Sequence, residues 1–198
     1  MDVPQKVIAS VYGSKPGDWK QHENGGGWVY KTAKVDSSVY LHPTSIVYGN
    51  AQVYGNARVS GDARVYGNAR VSGDAQVYGN AQVSGNARVS GDAQVSGNAR
   101  VSGDARVYGD AWESSPLYIH GTRHALTLCS HNQIAAGCHV HSIAEWLKRY
   151  KVIGRSEGYS KNQIEEYGVY LNLLAATAKR LQPKSAKKKT ATKKVADA

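Results

Sequence analysis

Residues 47–112 read VYGNAQ, VYGNAR, VSGDAR, VYGNAR, VSGDAQ, VYGNAQ, VSGNAR, VSGDAQ, VSGNAR, VSGDAR, VYGDAW, eleven hexapeptides without an insertion. A short fixed period of this kind marks a repeat architecture, in which each unit buries its apolar side only against its neighbours. Within a unit such as Ala63-Arg64-Val65-Tyr66, apolar and polar residues alternate. That is the pattern of a strand with one buried face, Ala and Val inward, Arg and Tyr outward. The following Gly67-Asn68 supplies the two residue types that tolerate tight or left-handed backbone, so each unit predicts one short strand and one corner. A flat antiparallel meander with Gly-Asn turns is the rival arrangement. It leaves a sheet of Val and Ala with nothing large to pack against, whereas a chain that coils on itself buries that face in its own narrow interior. Looser units upstream, VYKTAK from Val29, VDSSVY from Val35 and LHPTSI from Leu41, keep the register and bring the count to fourteen.

These strings resemble the hexapeptide-repeat superfamily, whose members form a left-handed parallel β-helix with three hexapeptides to each triangular coil. Here Tyr or Ser follows the aliphatic residue and Gly comes third, whereas the usual motif puts Gly or an acidic residue directly after it. The expected fold class is mainly β, a left-handed parallel β-helix with a small C-terminal α+β module. Fourteen units give between four and five coils, about 22 Å of prism at about 4.8 Å per coil. Residues eighteen apart then stack in columns. Gln52, Arg70, Arg88 and Arg106 fall on one face beside Tyr54, Ser72, Ser90 and Tyr108, with Asn56, Asp74, Asp92 and Asp110 on the next corner. A second face carries Arg64, Gln82 and Arg100, and a third Arg58, Gln76 and Gln94. Arg70, Arg88 and Arg106 make the first face the most cationic, and with Tyr54, Tyr108, Trp112 and Trp146 they are the candidate binding residues. Stacked Arg and Asp also read as a solvated, mutually screened surface, since residues 47–112 hold six Arg and five Asp. Tyr48, Tyr54, Tyr66, Tyr78 and Tyr108, all facing outward, predict self-association. A trimer of parallel prisms is what the resemblance implies.

Both ends of a solenoid present unpaired strand edges, so the flanks should act as caps. Residues 1–28 predict a small β-rich lid and residues 29–112 the prism. Residues 113–181 form the α+β module, with strands over LYIHG, HALTLCS and QIAAGCHVH. Ser142 with Glu145 three later is a capping box that opens a first helix. Gly158-Tyr159-Ser160 breaks it, and a second helix runs from about Lys161 to about Leu181 with Ile164, Tyr167, Tyr170, Leu171 and Leu174 on its apolar face. Residues 182–198 are low-complexity, with six Lys and one Asp, and predict a disordered tail. That tail carries half of the chain's net charge of +10 and predicts weak, salt-sensitive, sequence-independent nucleic-acid affinity.

The runs SPLYIHG, QIAAGCHVHSIAEWL and IGRSEGYSKNQIEEYGVYL resemble a module of tailed-bacteriophage and prophage proteins, often behind hexapeptide repeats, which implies a phage setting and no particular chemistry. The GGGWV at residues 25–29 resembles the lead-in of bacterial hexapeptide proteins of the acyltransferase type. Acyltransferases of that superfamily hold acyl-coenzyme A between prisms and use a His base, often on a loop interrupting the coils. The eleven regular units have neither loop nor His, and His42 is the one candidate base. Cys129, Cys138, His139 and His141 are candidate zinc ligands without paired Cys-x-x-Cys spacing. Their rival reading is structural. With no apolar run of membrane-spanning length and no signal-like N-terminus, the chain is expected to be cytoplasmic, without membrane association. The expected function is a non-enzymatic scaffold that oligomerises through its prism, binds a protein or small-molecule partner through its C-terminal module, and needs no cofactor. The alternative is acyl-coenzyme A-dependent acyl transfer, for which coenzyme A would be required.

Overall fold

The computed structural model describes residues 2–181, and the lysine-rich tail expected over 182–198 lies outside the described residues. From β2 (Trp28–Tyr30) to β16 (Ala111–Trp112) the chain forms fifteen short strands, which stack in parallel register into three sheets. Partners are eighteen residues apart, so Gln52 pairs with Arg70, Arg70 with Arg88, and Arg88 with Arg106, and the expected columns exist. Each coil offers N–H groups to the next, as where Gln52 N–H donates to Ala69 O at 2.9 Å and Gln76 N–H to Ala93 O at 2.8 Å. The inward Val and Ala of the regular units are buried, most of them completely. So narrow an interior favours small residues, and Leu41, paired with Val59, is a larger one it admits in the looser first coils. Gly61 shows what the corners demand: its φ is +65°, and a Cβ there would stand 2.9 Å from Gly79 O of the coil above.

The corner asparagines form ladders that tie coil to coil. Asn50, Asn68 and Asn86 each donate through Nδ2 to the residue above, at 3.4, 3.2 and 3.0 Å, and the series ends on Asp104. A carboxylate only accepts, so it suits the top rung, where no further acceptor waits above it.

The last unit departs from the repeat. Gln94 pairs with Ala111 and Val95 with Trp112, where the eighteen-residue register would have paired Gln94 with Trp112. The left-handed corner has moved from the glycine to Asp110, at φ 62°, and one residue is lost from the turn. A slip of one residue exchanges inside for outside. Trp112, expected on the outer face as a binding residue, therefore turns inward and plugs the prism, 2% exposed. Its indole N–H donates to Gly109 O at 3.0 Å, and its ring lies 5.2 Å from that of His131. Asp110 leaves its corner column and accepts from His131 N–H at 2.6 Å.

The N-terminal segment is less β-rich than expected. Val7 lies in a single helical turn, α1 (Gln5–Ile8), and β1 (Trp19–Gln21) pairs antiparallel with β2. Val7, Trp19, Trp28 and Ile46 form a satellite core against the outside of the second face. Tyr48 stacks on Tyr66 at 4.8 Å and stands 6.5 Å from Trp19. Of the five tyrosines expected to face solvent, Tyr54 alone is exposed, and Tyr48, Tyr66, Tyr78 and Tyr108 are half-buried.

The C-terminal module is an antiparallel meander, β17 (Tyr118–His120), β18 (Ala125–Ser130), β19 (Gln133–Ala136) and β20 (His139–Ser142), under α2 (Ile143–Ser156) and α3 (Lys161–Leu181). The expected strand QIAAGCHVH folds as two because Gly137, at φ 57°, turns it. Ser142 caps α2, its hydroxyl accepting from Glu145 N–H at 3.2 Å. β18 closes the open edge of β15 (Arg106–Val107): Tyr108 N–H donates to Cys129 O at 3.1 Å and Arg106 N–H to the buried Thr127 hydroxyl at 3.3 Å. The prism core runs without a break into Leu126, Leu128, Ile134 and Trp146.

Candidate functional site

Where α2 and α3 cross the meander they leave a cavity of about 50 Å³. Two glycines let the helices approach: a Cβ on Gly154 would stand 2.8 Å from Ile164, and one on Gly168 2.8 Å from Tyr150. Leu126, Ala136, Ile153, Ile164 and Leu171 supply apolar walls, and Trp146 closes the floor. Trp146 was expected to bind a partner. It is 5% exposed and its N–H donates to Ile134 O at 2.7 Å, so its indole belongs to the packing of the module.

The rim is polar. His139 and His141 lie on one face of β20 with rings stacked at 5.7 Å, each standing edge-on to Trp146. His139 Nε2 is 3.0 Å from Glu157 just beyond α2, and His141 Nδ1 is 3.4 Å from Glu145 in its first turn. Across the cavity Tyr159 packs edge-on to Tyr167 at 5.1 Å, under the Arg123 guanidinium at 4.7 Å. Burial, with Tyr167 adding to it, pushes the Tyr159 phenol up to about 12, so it is neutral and able to donate at any ordinary pH. Tyr167 donates to His124 O at 2.7 Å and accepts from Arg123 N–H at 3.1 Å, fixing the loop that carries both rim residues. Glu166 holds the same loop through the Thr122 hydroxyl at 2.6 Å and Thr122 N–H at 3.0 Å, and the hydroxyl contact foremost keeps its carboxyl below the usual range.

The expected zinc ligands do not converge. His139 and His141 are engaged by Glu157 and Glu145, and Cys138 is exposed in the β19–β20 turn. Cys129 is buried at a bulge of β18, with Sγ 3.4 Å from Gln133 O. Desolvation pushes its thiol up to about 11, which keeps it protonated and a poor ligand or nucleophile. No group of three or more His, Cys, Asp or Glu among the described residues is placed to hold a metal ion.

On the prism the cationic column is shorter than the sequence implied. Arg70 and Arg88 are exposed, but Arg106 is half-buried and donates to Gly137 O at 2.8 Å, so its charge helps seat the C-terminal module. Tyr54 stays exposed beside Arg70, while Tyr108 is half-buried under β18. His42 sits half-buried in the corner after β4 (Tyr40–Leu41), where its Nδ1 accepts from Thr44 N–H at 3.3 Å and lies 2.9 Å from the Thr44 hydroxyl. Sequence reasoning missed Arg123, Glu157 and Tyr159 as rim residues. Arg123 comes from the loop between β17 and β18 and the other two from the α2–α3 turn, and no spacing in the chain foretells their meeting.

Residues 51–65, 63–79, 81–97, 93–109 and 99–115 match a family model described as YdcK beta solenoid repeat. No curated protein and no solved structure matches the chain. Three parallel sheets in eighteen-residue register and five repeat matches lead to one conclusion: the chain is a β-solenoid repeat protein carrying a small sheet-and-helix module at its C-terminal end.

Proposed function

We propose that this is a non-enzymatic binding protein whose solenoid is a rigid scaffold and whose C-terminal module makes the specific contact. The observation that carries this reading is the contrast between the two surfaces. The prism repeats one outward pattern, whereas the module gathers an apolar cavity and a varied polar rim of His124, His139, Glu157, Tyr159 and Arg123. At about 50 Å³ the cavity suits the tip of one aliphatic side chain. Pockets that enclose a cofactor-sized ligand run to roughly 300–1,000 Å³. The partner we infer is accordingly a protein that inserts one apolar side chain and meets the rim with polar groups. The left-handed coil and the phage or prophage setting belong to the same proposal and rest on the sequence resemblance.

The test compares partner capture by the full chain with capture by Cys138→Trp, which fills the mouth from an exposed turn, and by Arg70→Ala/Arg88→Ala on the prism. Loss with the first variant alone supports the cleft. Loss with the second alone moves binding to the prism, and coenzyme A-dependent acetyl transfer that disappears in His42→Ala would replace the proposal with the acyltransferase alternative.

A further inference from the structure

Helix α3 is apolar on two opposite faces, and the module uses only one. Tyr167, Leu171, Leu174 and Ala178 are buried against α2 and β18, as an amphipathic helix requires. On the other side Val169 is 67% and Leu173 51% exposed, with Ala176 exposed one turn further on. Residues 169, 173 and 176 follow helical spacing, so they form one continuous stripe. Four residues before Val169 the stripe begins at Glu165, and four after Ala176 it ends at Arg180, with Lys179 beside it. All three end charges are exposed, and none pairs with a described side chain. The neighbouring Glu166, by contrast, is committed to Thr122.

The order acid, Val, Leu, Ala, base is self-complementary when reversed. A two-fold axis midway between residues 165 and 180 falls between 172 and 173, at the centre of the apolar stripe. Laying a second α3 antiparallel across that axis sets Val169 against the partner's Ala176, and Leu173 beside the axis. It also brings Glu165 at each end opposite Arg180 of the partner subunit. Such an isologous contact satisfies both ends at once, which no parallel arrangement does. Ala176 allows close approach of the helices. The Asn172 amide, which could have opposed burial, donates to Gly168 O of its own helix at 2.7 Å.

We propose that the exposed face of α3 is a homodimer seam, occupied by the same face of a second copy running antiparallel. This goes beyond the binding role of the cleft and is independent of it. Residues 182–198, with six Lys and a single Val, have the wrong chemistry to cover an aliphatic stripe. Four helical turns from each copy bury less than the roughly 1,200–2,000 Å² of a standard interface, so the dimer forms at micromolar concentration.

The experiment is sedimentation equilibrium of the full chain, with circular dichroism confirming that each variant is folded. Wild type should show a monomer–dimer equilibrium, and Leu173→Glu should raise its dissociation constant at least about tenfold. Glu165→Lys and Arg180→Glu should each weaken the homodimer, because each sets like charges together at both ends. An equimolar mixture of those two variants should associate again, since every end contact in the heterodimer then joins opposite charges. Should Leu173→Glu fail to fold, the mixture of the two surface-charge variants still carries the test. A wild-type monomer up to about 100 µM overturns the proposal. So does a dimer, or a trimer through the prism faces, that Leu173→Glu leaves unchanged, or a mixture no tighter than its components.

Discussion

Val107 to Trp112 follows the repeat in all but its last residue, yet the regular coils and this final unit fold differently. From Gly49 to Gly85 each corner glycine sits beneath another glycine, and strand, corner and side-chain direction are all enforced by the copies above and below. Above the last unit stands the meander, and the chain is free to drop one residue of register. It does so because a large aromatic facing solvent can be turned into the open end of an apolar tube. A repeat thus dictates its own geometry only where it has neighbours of the same kind, and the ends are where the fold acquires new parts.

The largest expected effect sharpens that contrast. Trp112→Ala removes the plug and leaves a cavity between prism and module, which should cost about 3–5 kcal/mol in chemical denaturation. Truncating Tyr78, a half-buried residue in a regular unit, should cost a fraction of that. A second comparison separates corner from corner. Gly61→Ala should cost about 2–4 kcal/mol, because it combines positive φ with a backbone clash. Gly109→Ala, at a corner where an added Cβ meets nothing within 4 Å, should be nearly neutral, measured as the same unfolding midpoint. Equal costs at the two sites would mean that the last corner keeps the regular register. Asp110→Ala should come next, at about 1–2 kcal/mol, since it removes the contact with His131 N–H while a residue of that position still needs φ near +62°.

The smallest effect concerns pH. Glu166, held by Thr122, and Asp18, held foremost by Lys31, both ionise below their usual range in the folded chain. Carboxyls with a depressed folded value stabilise fully above the unfolded value and lose that contribution as pH falls through the folded one. Thermal stability should therefore be level above pH about 4.5, fall below it, and fall less steeply in Glu166→Gln. An unchanged slope in that variant would show that the Thr122 contacts do not link α3 to the meander.

The prism was legible because a period of six with inward Val and Ala leaves little choice of geometry, and the columns through Arg70 and Arg88 followed from arithmetic alone. The helices were legible from the Ser142 cap and the Gly158 break. The inward turn of Trp112 was not, since VYGDAW differs from its predecessors only in its last residue, and the competition between register and burial is settled by what lies above it. Nor was the diversion of Arg106 to Gly137 O: its sequence surroundings are those of Arg64, and only the module's position distinguishes them. The cleft was hidden for a related reason. His139 was visible as a candidate, but Glu157 and Tyr159 reach it through the α2–α3 turn, a contact that local pattern does not encode.

The central claim is that the regular coils are interchangeable scaffold between two specialised ends, and excising one whole coil tests it most directly. Removing residues 71–88 joins Arg70 to Val89 in register and leaves the N-terminal aromatic cluster, Trp112 and the entire C-terminal module untouched. Thermal unfolding of the shortened chain should remain a single cooperative transition close to that of the full chain, as expected for an array stabilised by nearest-neighbour contacts. Loss of the cooperative transition would contradict the account, because it would mean that the ends depend on those eighteen residues for more than spacing.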